Sequence, residues 1–220
     1  MRFYDDYCEI ECTTEQGNSQ RFLVIPEYIE GVSVKSLGFA SLISDYTYAR
    51  IDSDTLEKVY CEEAIEIHKP AFLSCPNMKK LIYPVLNDYA YWSLGGNGVD
   101  VFYPRREYEK GIYSGFNTKC ANVSYYYNFE NENDDGYYWI DDCDYGGIIE
   151  FIPPAPEREG YAFGGWYKEP ECINEWDFET NTLPEEKTEM GEAYKNGEFF
   201  VEEIQVYQET VLYAKWTLKS

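Results

Sequence analysis

His68 is the only histidine in the chain, so any imidazole-dependent reaction would have to use it. A Ser-His-Asp or Cys-His site needs that base held by packing beside a nucleophile. His68 falls between Ile67 and Lys69 in what reads as a turn, and is expected to face solvent. A metal site built on two histidines is impossible. Glu62, Glu63 and Glu66 are the nearest match to the paired carboxylates of a glycosidase. Their neighbours place them on the edge of a repeating segment, with no cleft residues beside them. Asp134, Asp135, Asp141, Asp142 and Asp144 form an oxygen-rich cluster of the kind calcium uses. The spaced Asp-x-Asp-x-Asp-Gly loop is absent, so a solvated hairpin rim is expected. Gly95-Gly96-Asn97-Gly98 lacks the Lys-Ser/Thr that would make it a phosphate loop. The expectation is no enzyme: no catalytic residue, no cofactor and no metal.

Seven cysteines leave at least one unpaired: Cys8, Cys12, Cys61, Cys75, Cys120, Cys143 and Cys172. No C-x-x-C occurs, which removes the zinc-ribbon and thioredoxin signatures. On a strand, Cys8 and Cys12 would lie about 13 Å apart, beyond disulfide reach. Reduced and mostly buried thiols are expected, a pattern of reducing surroundings.

The elements that would position these groups follow from composition and pattern. The chain has 220 residues, 44% of them hydrophobic, enough for a buried core in one domain or two. Lys and Arg number 18 against 41 Asp and Glu, a net charge of −23. Residues 125–220 hold 6 and 23 of these, net −17. Such a field repels phosphate backbones, so nucleic acid is not an expected partner, and cationic partners are favoured. No apolar run of about 18 residues exists, so no membrane insertion is expected. Met1-Arg2-Phe3-Tyr4 has no apolar signal core; either the chain is cytoplasmic or a signal preceded it. Twenty-three tyrosines suit half-buried strands and adhesive surfaces alike.

Residues 22–84 break into short apolar pieces closed by Pro or a turn. These are Leu23-Val24-Ile25-Pro26, Gly31 to Gly38, Leu56 to Cys61, Ala64 to His68 and Pro70 to Pro84. Val99 to Pro104 repeats the strand-then-Pro ending. A short strand recurring every 20–29 residues is the mark of a solenoid. Leu56, Val59 and Cys61, then Ile67, Ala71, Phe72, Cys75, Met78, Leu81, Tyr83 and Pro84, fall at the offsets of the BspA-type leucine-rich repeat, which this stretch resembles. Gly31-Val32-Ser33-Val34 and Leu37-Gly38 fit an earlier repeat. Glu62 stands where that family has Pro, His68 stands where Gly is usual, and residues 39–55 are irregular. Two or three repeats are present. One more degenerate repeat is expected within 85–122, and the leucine-rich-repeat domain is placed at 1–122.

From Val123 the texture changes to alternation, with Val123, Tyr125, Tyr127 and Phe129 on one face. Residues 123–143 read as a hairpin and Ile148 to Ile152 as a further strand stopped by Pro153-Pro154-Ala155-Pro156. Residues 198–207 and 210–216 read as a closing pair. Tyr145-Gly146-Gly147, Pro153 with Pro156, Glu159 to Tyr167, Trp176-Asp177-Phe178 and Leu212 to Trp216 occur in the order of the Listeria–Bacteroides repeat. Residues 123–217 therefore resemble that module, the B-repeat of internalin-type surface proteins. The resemblance implies a small β-grasp-like fold at 123–220. The stretch 185–208 is longer than the family's link, and Lys195-Asn196-Gly197-Glu198 is a good hairpin turn. It also implies that Trp166, Trp176 and Trp216 are core or half-core rather than a carbohydrate platform.

The fold class expected is mainly β, a short leucine-rich-repeat solenoid followed by a β-grasp-like module. The function implied is that of a bacterial surface or secreted protein, acting in adhesion or in protein or glycan interaction. A cytoplasmic protein–protein interaction module is the alternative. The binding surface expected consists of exposed tyrosines near turns: Tyr137, Tyr138, Tyr145 and Tyr194. Neither the ligand nor the oligomeric state is written in the chain.

Overall fold

A computed structural model describes residues 1–38, 51–68, 71–84, 98–106, 118–129, 136–195 and 197–219, with only the backbone of Tyr194 and Lys195. The chain is mainly β and divides into two compact units, Met1–Ala121 and Asn122–Ser220.

Unit one contains β1 (Arg2–Phe3), β2 (Tyr7–Ile10), the one-turn helix α1 (Glu15–Asn18), β3 (Phe22–Ile25), β4 (Tyr28–Ile29), β5 (Val32–Leu37), β6 (Lys58–Cys61), β7 (Glu66–Ile67), β8 (Lys80–Ile82), β9 (Asp100–Tyr103) and β10 (Thr118–Cys120). Its largest sheet runs β10-β9-β8-β6-β3, with every pairing parallel and the order following the sequence. Each strand is short because each covers one edge of one chain turn. Leu23, Val59, Leu81 and Val101 stand in register across it. The last three are buried. A second ladder, β2-β5-β7, is parallel too, and stacks Ile10, Leu37 and Ile67 as a buried column. A third parallel contact joins Asp52 to Ser74. Between these edges lies one core that includes Ile51, Leu56, Phe72, Cys75 and Met78.

Local chemistry sets the corners. Glu30 and Gly31 both have positive φ, 53° and 80°, and join β4 to β5 in a two-residue turn whose twist suits a hairpin. The hydroxyl of Ser53 accepts from Leu56 N–H (3.0 Å), closing the turn that leads into β6. Cys75 Sγ lies 3.4 Å from Ile51 O, so this thiol packs within the core as a small hydrophobe. The outer row of the large sheet is also sheltered. Tyr60, Ile82 and Phe102 are buried there, and the ammonium groups of Lys58, Lys80 and Lys119 lie over its rings. Five strands line this sheet: β9 falls in the Val99 to Pro104 piece, and both β9 and β10 lie within 85–122, the stretch expected to hold one further degenerate repeat beyond the two or three.

Unit two contains β11 (Val123–Tyr126), β12 (Tyr137–Asp141), β13 (Tyr161–Tyr167), β14 (Thr188–Lys195), β15 (Glu198–Gln205) and β16 (Thr210–Leu218). Its main sheet runs β12-β11-β16-β13. The hairpin expected over 123–143 is present as β11 and β12. Two expectations fail. Residues 198–207 and 210–216 do not pair with each other. β15 pairs with β14 through a two-residue turn, while β16 enters the main sheet between β11 and β13. The local turn closes at low entropic cost, and β16 gains two neighbours instead of one. Ile148 to Ile152 forms no strand. Its ladder position beside β11 is taken by β16, and it is fixed by the side chain of Ile149, which is buried.

Two motif features have direct structural causes. Gly165, at φ 103°, makes the bulge that shifts register between Phe163 and Trp166. Asp177 accepts from Thr180 Oγ1 (2.7 Å) and Glu179 N–H (2.9 Å), closing the turn that follows the buried Trp176. These bonds hold the Asp177 carboxyl below its ordinary range.

Candidate interaction surface

The residues with catalytic potential are not brought together. His68 is half-buried, with Nδ1 3.7 Å from Glu66 Oε1. Glu62 accepts from Glu27 N–H (3.1 Å) and Glu63 from its neighbour Ala64 N–H (2.7 Å), so both tie down backbone at a corner. Asp141 is buried and accepts from Asp142 N–H (2.7 Å), whereas Asp144 is exposed. Asp134 and Asp135 lie outside the described residues, as do Gly95, Gly96 and Asn97. Among the described residues no group of three or more His, Cys, Asp or Glu could hold a metal ion.

None of the seven cysteines is in a disulfide. Cys8, Cys61 and Cys75 are buried, and burial pushes each of these thiols up from its ordinary pKa. Cys12 is exposed, and Cys120, Cys143 and Cys172 are half-buried.

Ring contacts in unit two fall into two described groups, one around Trp166, Tyr138 and Trp216 and one of Tyr126, Tyr137 and Tyr213. Trp166 is buried, with Tyr125 edge-on at 4.9 Å and Tyr138 stacked at 5.7 Å. Trp216 is half-buried, its indole N–H donating to Tyr127 O. Phe129 and Phe163 meet its ring edge-on at 5.7 and 5.9 Å. The reading of Trp166, Trp176 and Trp216 as core or half-core matches these positions.

Three of the four tyrosines expected to be exposed, Tyr137, Tyr138 and Tyr145, are half-buried. Tyr137 is half-buried against Tyr126, ring centres 4.4 Å apart. Tyr138 is half-buried on Trp166 and donates to Pro154 O (2.7 Å). Tyr145 is half-buried, donating to Gln208 O (3.2 Å) and accepting from Gln208 N–H (2.9 Å). The reason is cross-strand register: Tyr126 faces Tyr137 and Tyr125 faces Trp139, so neighbouring rings cover one another. The backbone of Tyr194 lies in β14, and its side chain lies outside the described residues.

Exposed apolar side chains gather instead on the β14–β15 ribbon, at Met190, Phe199, Phe200 and Val201. No sequence signal beyond the hairpin turn and the unusual length of 185–208 marked this place. The ribbon is rooted in unit two by the Tyr145–Gln208 bonds and by Gln208 Nε2 donating to Glu185 O (2.8 Å).

Residues 125–190 match the family model of the Listeria-Bacteroides repeat domain. That stretch begins within β11, holds β12 and β13 and stops within β14. Among curated relatives, a protein of Evansella cellulosilytica provisionally named a membrane protein is 40% identical over 47 residues, 21% of this chain and 7% of that protein. A second protein of that organism, provisionally named a Gly-rich membrane protein, is 40% identical over 42 residues, 19% of this chain and 5% of its own length. The chain thus matches under a tenth of the length of either relative. No solved structure matches the chain. No helix among the described residues is long and apolar enough to cross a membrane.

Proposed function

We propose that this is a non-enzymatic bacterial surface or secreted protein, acting in adhesion or in protein or glycan interaction. The match of residues 125–190 to the Listeria-Bacteroides repeat carries the reading. The membrane-protein names of two relatives support it. In this reading unit one is a short BspA-type leucine-rich stack whose parallel ladders present a scaffold. Unit two is an internalin B-repeat-like, β-grasp-like module whose aromatic side chains are committed to its own packing. That leaves contact to surface groups outside the motif, of which the ribbon is the most apolar.

The test is protease shaving of intact cells of the source bacterium, followed by immunoblotting for this chain. Loss of the band from intact cells supports display. A band protected until lysis, and absent from the medium, would remove the surface reading. The cytoplasmic interaction module is the second reading, favoured by seven cysteines outside any disulfide, since oxidising compartments tend to pair them. The same fractionation separates the two.

A further inference from the structure

The β14–β15 ribbon consists of eight residue pairs, Thr188↔Gln205 through Lys195↔Glu198, and forms a sheet by itself among the described residues. A lone hairpin in water is marginal, and neither of its outer edges pairs with another described strand, which leaves backbone groups facing outward on each. The hydrogen-bonding phase is fixed by Val206 N–H donating to Lys187 O (2.8 Å) just beyond the ladder. Counting inward by twos, the residue pairs 189/204, 191/202 and 193/200 exchange hydrogen bonds across the ribbon. Val201, opposite Glu192, and Glu203, opposite Met190, fall on the alternate pairs. Their N–H and C=O groups therefore point away from β14, along the open edge of β15.

The two faces differ. On one, Ile204 folds over Gly191, where an added Cβ would sit 2.3 Å from Ile204 Cδ1, so that face is partly filled by its own side chain. On the other, Met190, Phe199 and Val201 are 64%, 74% and 68% exposed and alternate with Glu192 and Glu203. Charge decides the occupant. Between residues 188 and 205 the ribbon carries Glu189, Glu192, Glu198, Glu202 and Glu203 against Lys195 alone, net −4. A second copy of this ribbon would bring like charges together, which disfavours self-pairing. A basic strand would find both an open ladder and opposite charge.

We propose that the outer edge of β15 captures an extended, basic segment of another protein by strand addition. In this arrangement Val201 and Glu203 supply the backbone ladder. Phe199 and Val201 receive apolar side chains and Glu203 a Lys or Arg, all from alternate residues of the added strand that share its one face, with Met190 and Glu192 on the same face one strand further in. The inference goes beyond the surface reading, because it concerns the purified chain and is indifferent to where the protein resides.

The experiment titrates the full chain with a capped, labelled peptide repeating Val-Thr-Lys-Thr, which sets Val and Lys alternately on one face of an extended strand, followed by fluorescence anisotropy. The same peptide with Glu for Lys is the control. The Lys peptide should bind, weaken as salt rises, and outcompete the Glu peptide by roughly tenfold or more. Val201→Pro removes an outward N–H without removing a bond inside the ribbon, so binding should fall roughly tenfold or more. Because proline could also disturb the ribbon, the double variant Glu192→Lys with Glu203→Lys provides a second arm. It leaves the backbone intact and brings the ribbon from net −4 to zero, so the advantage of the Lys peptide should shrink roughly tenfold or more. The proposal is overturned if the Lys peptide fails to bind, if the double variant keeps the Lys peptide's original advantage, or if the peptide-free chain forms a dimer in sedimentation that Val201→Pro abolishes.

Discussion

The guanidinium carbon of Arg158 lies 3.8 Å from the centre of the Tyr161 ring. The turn between them sets this up: Tyr161 N–H donates to Arg158 O (3.1 Å) and Gly160 takes φ 76°, a conformation that suits glycine. The same guanidinium lies 4.4 Å from the Phe129 ring and 5.8 Å from Trp216. Three rings thus surround one planar cation, which pins the entry to β13 against the end of β16. Arg158→Ala should cost about 1–2 kcal/mol in urea melts. Arg158→Lys should recover only part of it, since an ammonium cannot stack as a plane. No change in the alanine variant would mean that the contact is incidental.

Phe72 is 4% exposed within the core of unit one. Phe72→Ala should destabilise that unit by about 3–5 kcal/mol. A loss under about 1 kcal/mol would contradict its place in the core.

Every sheet of the molecule lies within one of the two units. Residues 122–220 expressed alone should therefore give a dispersed NMR spectrum. A collapsed spectrum would show that this unit needs residues of the first.

Asn128 adopts φ 55° and spends its side-chain amide on Pro170 O (2.9 Å) and Ala214 O (3.1 Å). It fastens the loop after β13 to the centre of β16. Asn128→Ala should lose about 1–3 kcal/mol, because the carbonyls lose their donor and the left-handed backbone loses a tolerant residue. Equal stability of the variant would rule out this latch.

Thiol labelling of the native chain should follow exposure. Cys12 should react first with iodoacetamide, and Cys8, Cys61 and Cys75 should wait for unfolding. Melting should not shift with reductant plus chelator. Fast labelling of Cys61, whose thiol is buried and held protonated, would contradict the core of unit one.

Much of the local structure was legible in the sequence. Leu56, Val59, Cys61 and Leu81 could be assigned to an inward-facing edge because each sits at a spacing that only a recurring short strand explains. Trp166 and Trp176 could be assigned to the core because the ordered motifs resemble the Listeria–Bacteroides repeat, and that resemblance implies a core place for them. The turn Lys195 to Glu198 was legible because two-residue hairpins demand a residue such as Gly197, here at φ 88°. The second ladder through Ile10, Leu37 and Ile67 was not legible as a ladder. Its partners are distant in sequence, and β7 has only two residues, too few to show a period.

The exposure of the tyrosines was also beyond the sequence. A turn-proximal Tyr137 or Tyr138 reads as surface, yet strand register places Tyr126 and Trp166 against them. The partner of β16 was decided in the same way. Its alternation specifies a strand with one buried face, through Leu212 and Ala214, but not which strand lies beside it. Residue order and period are local properties, so the sequence by itself determined the elements, their buried faces and the acidic character of the second half. Pairing between distant strands is a competition among whole-chain arrangements. Only the tertiary structure decided that β16 fills the centre of a sheet and that β15, among the described residues, pairs with β14 alone.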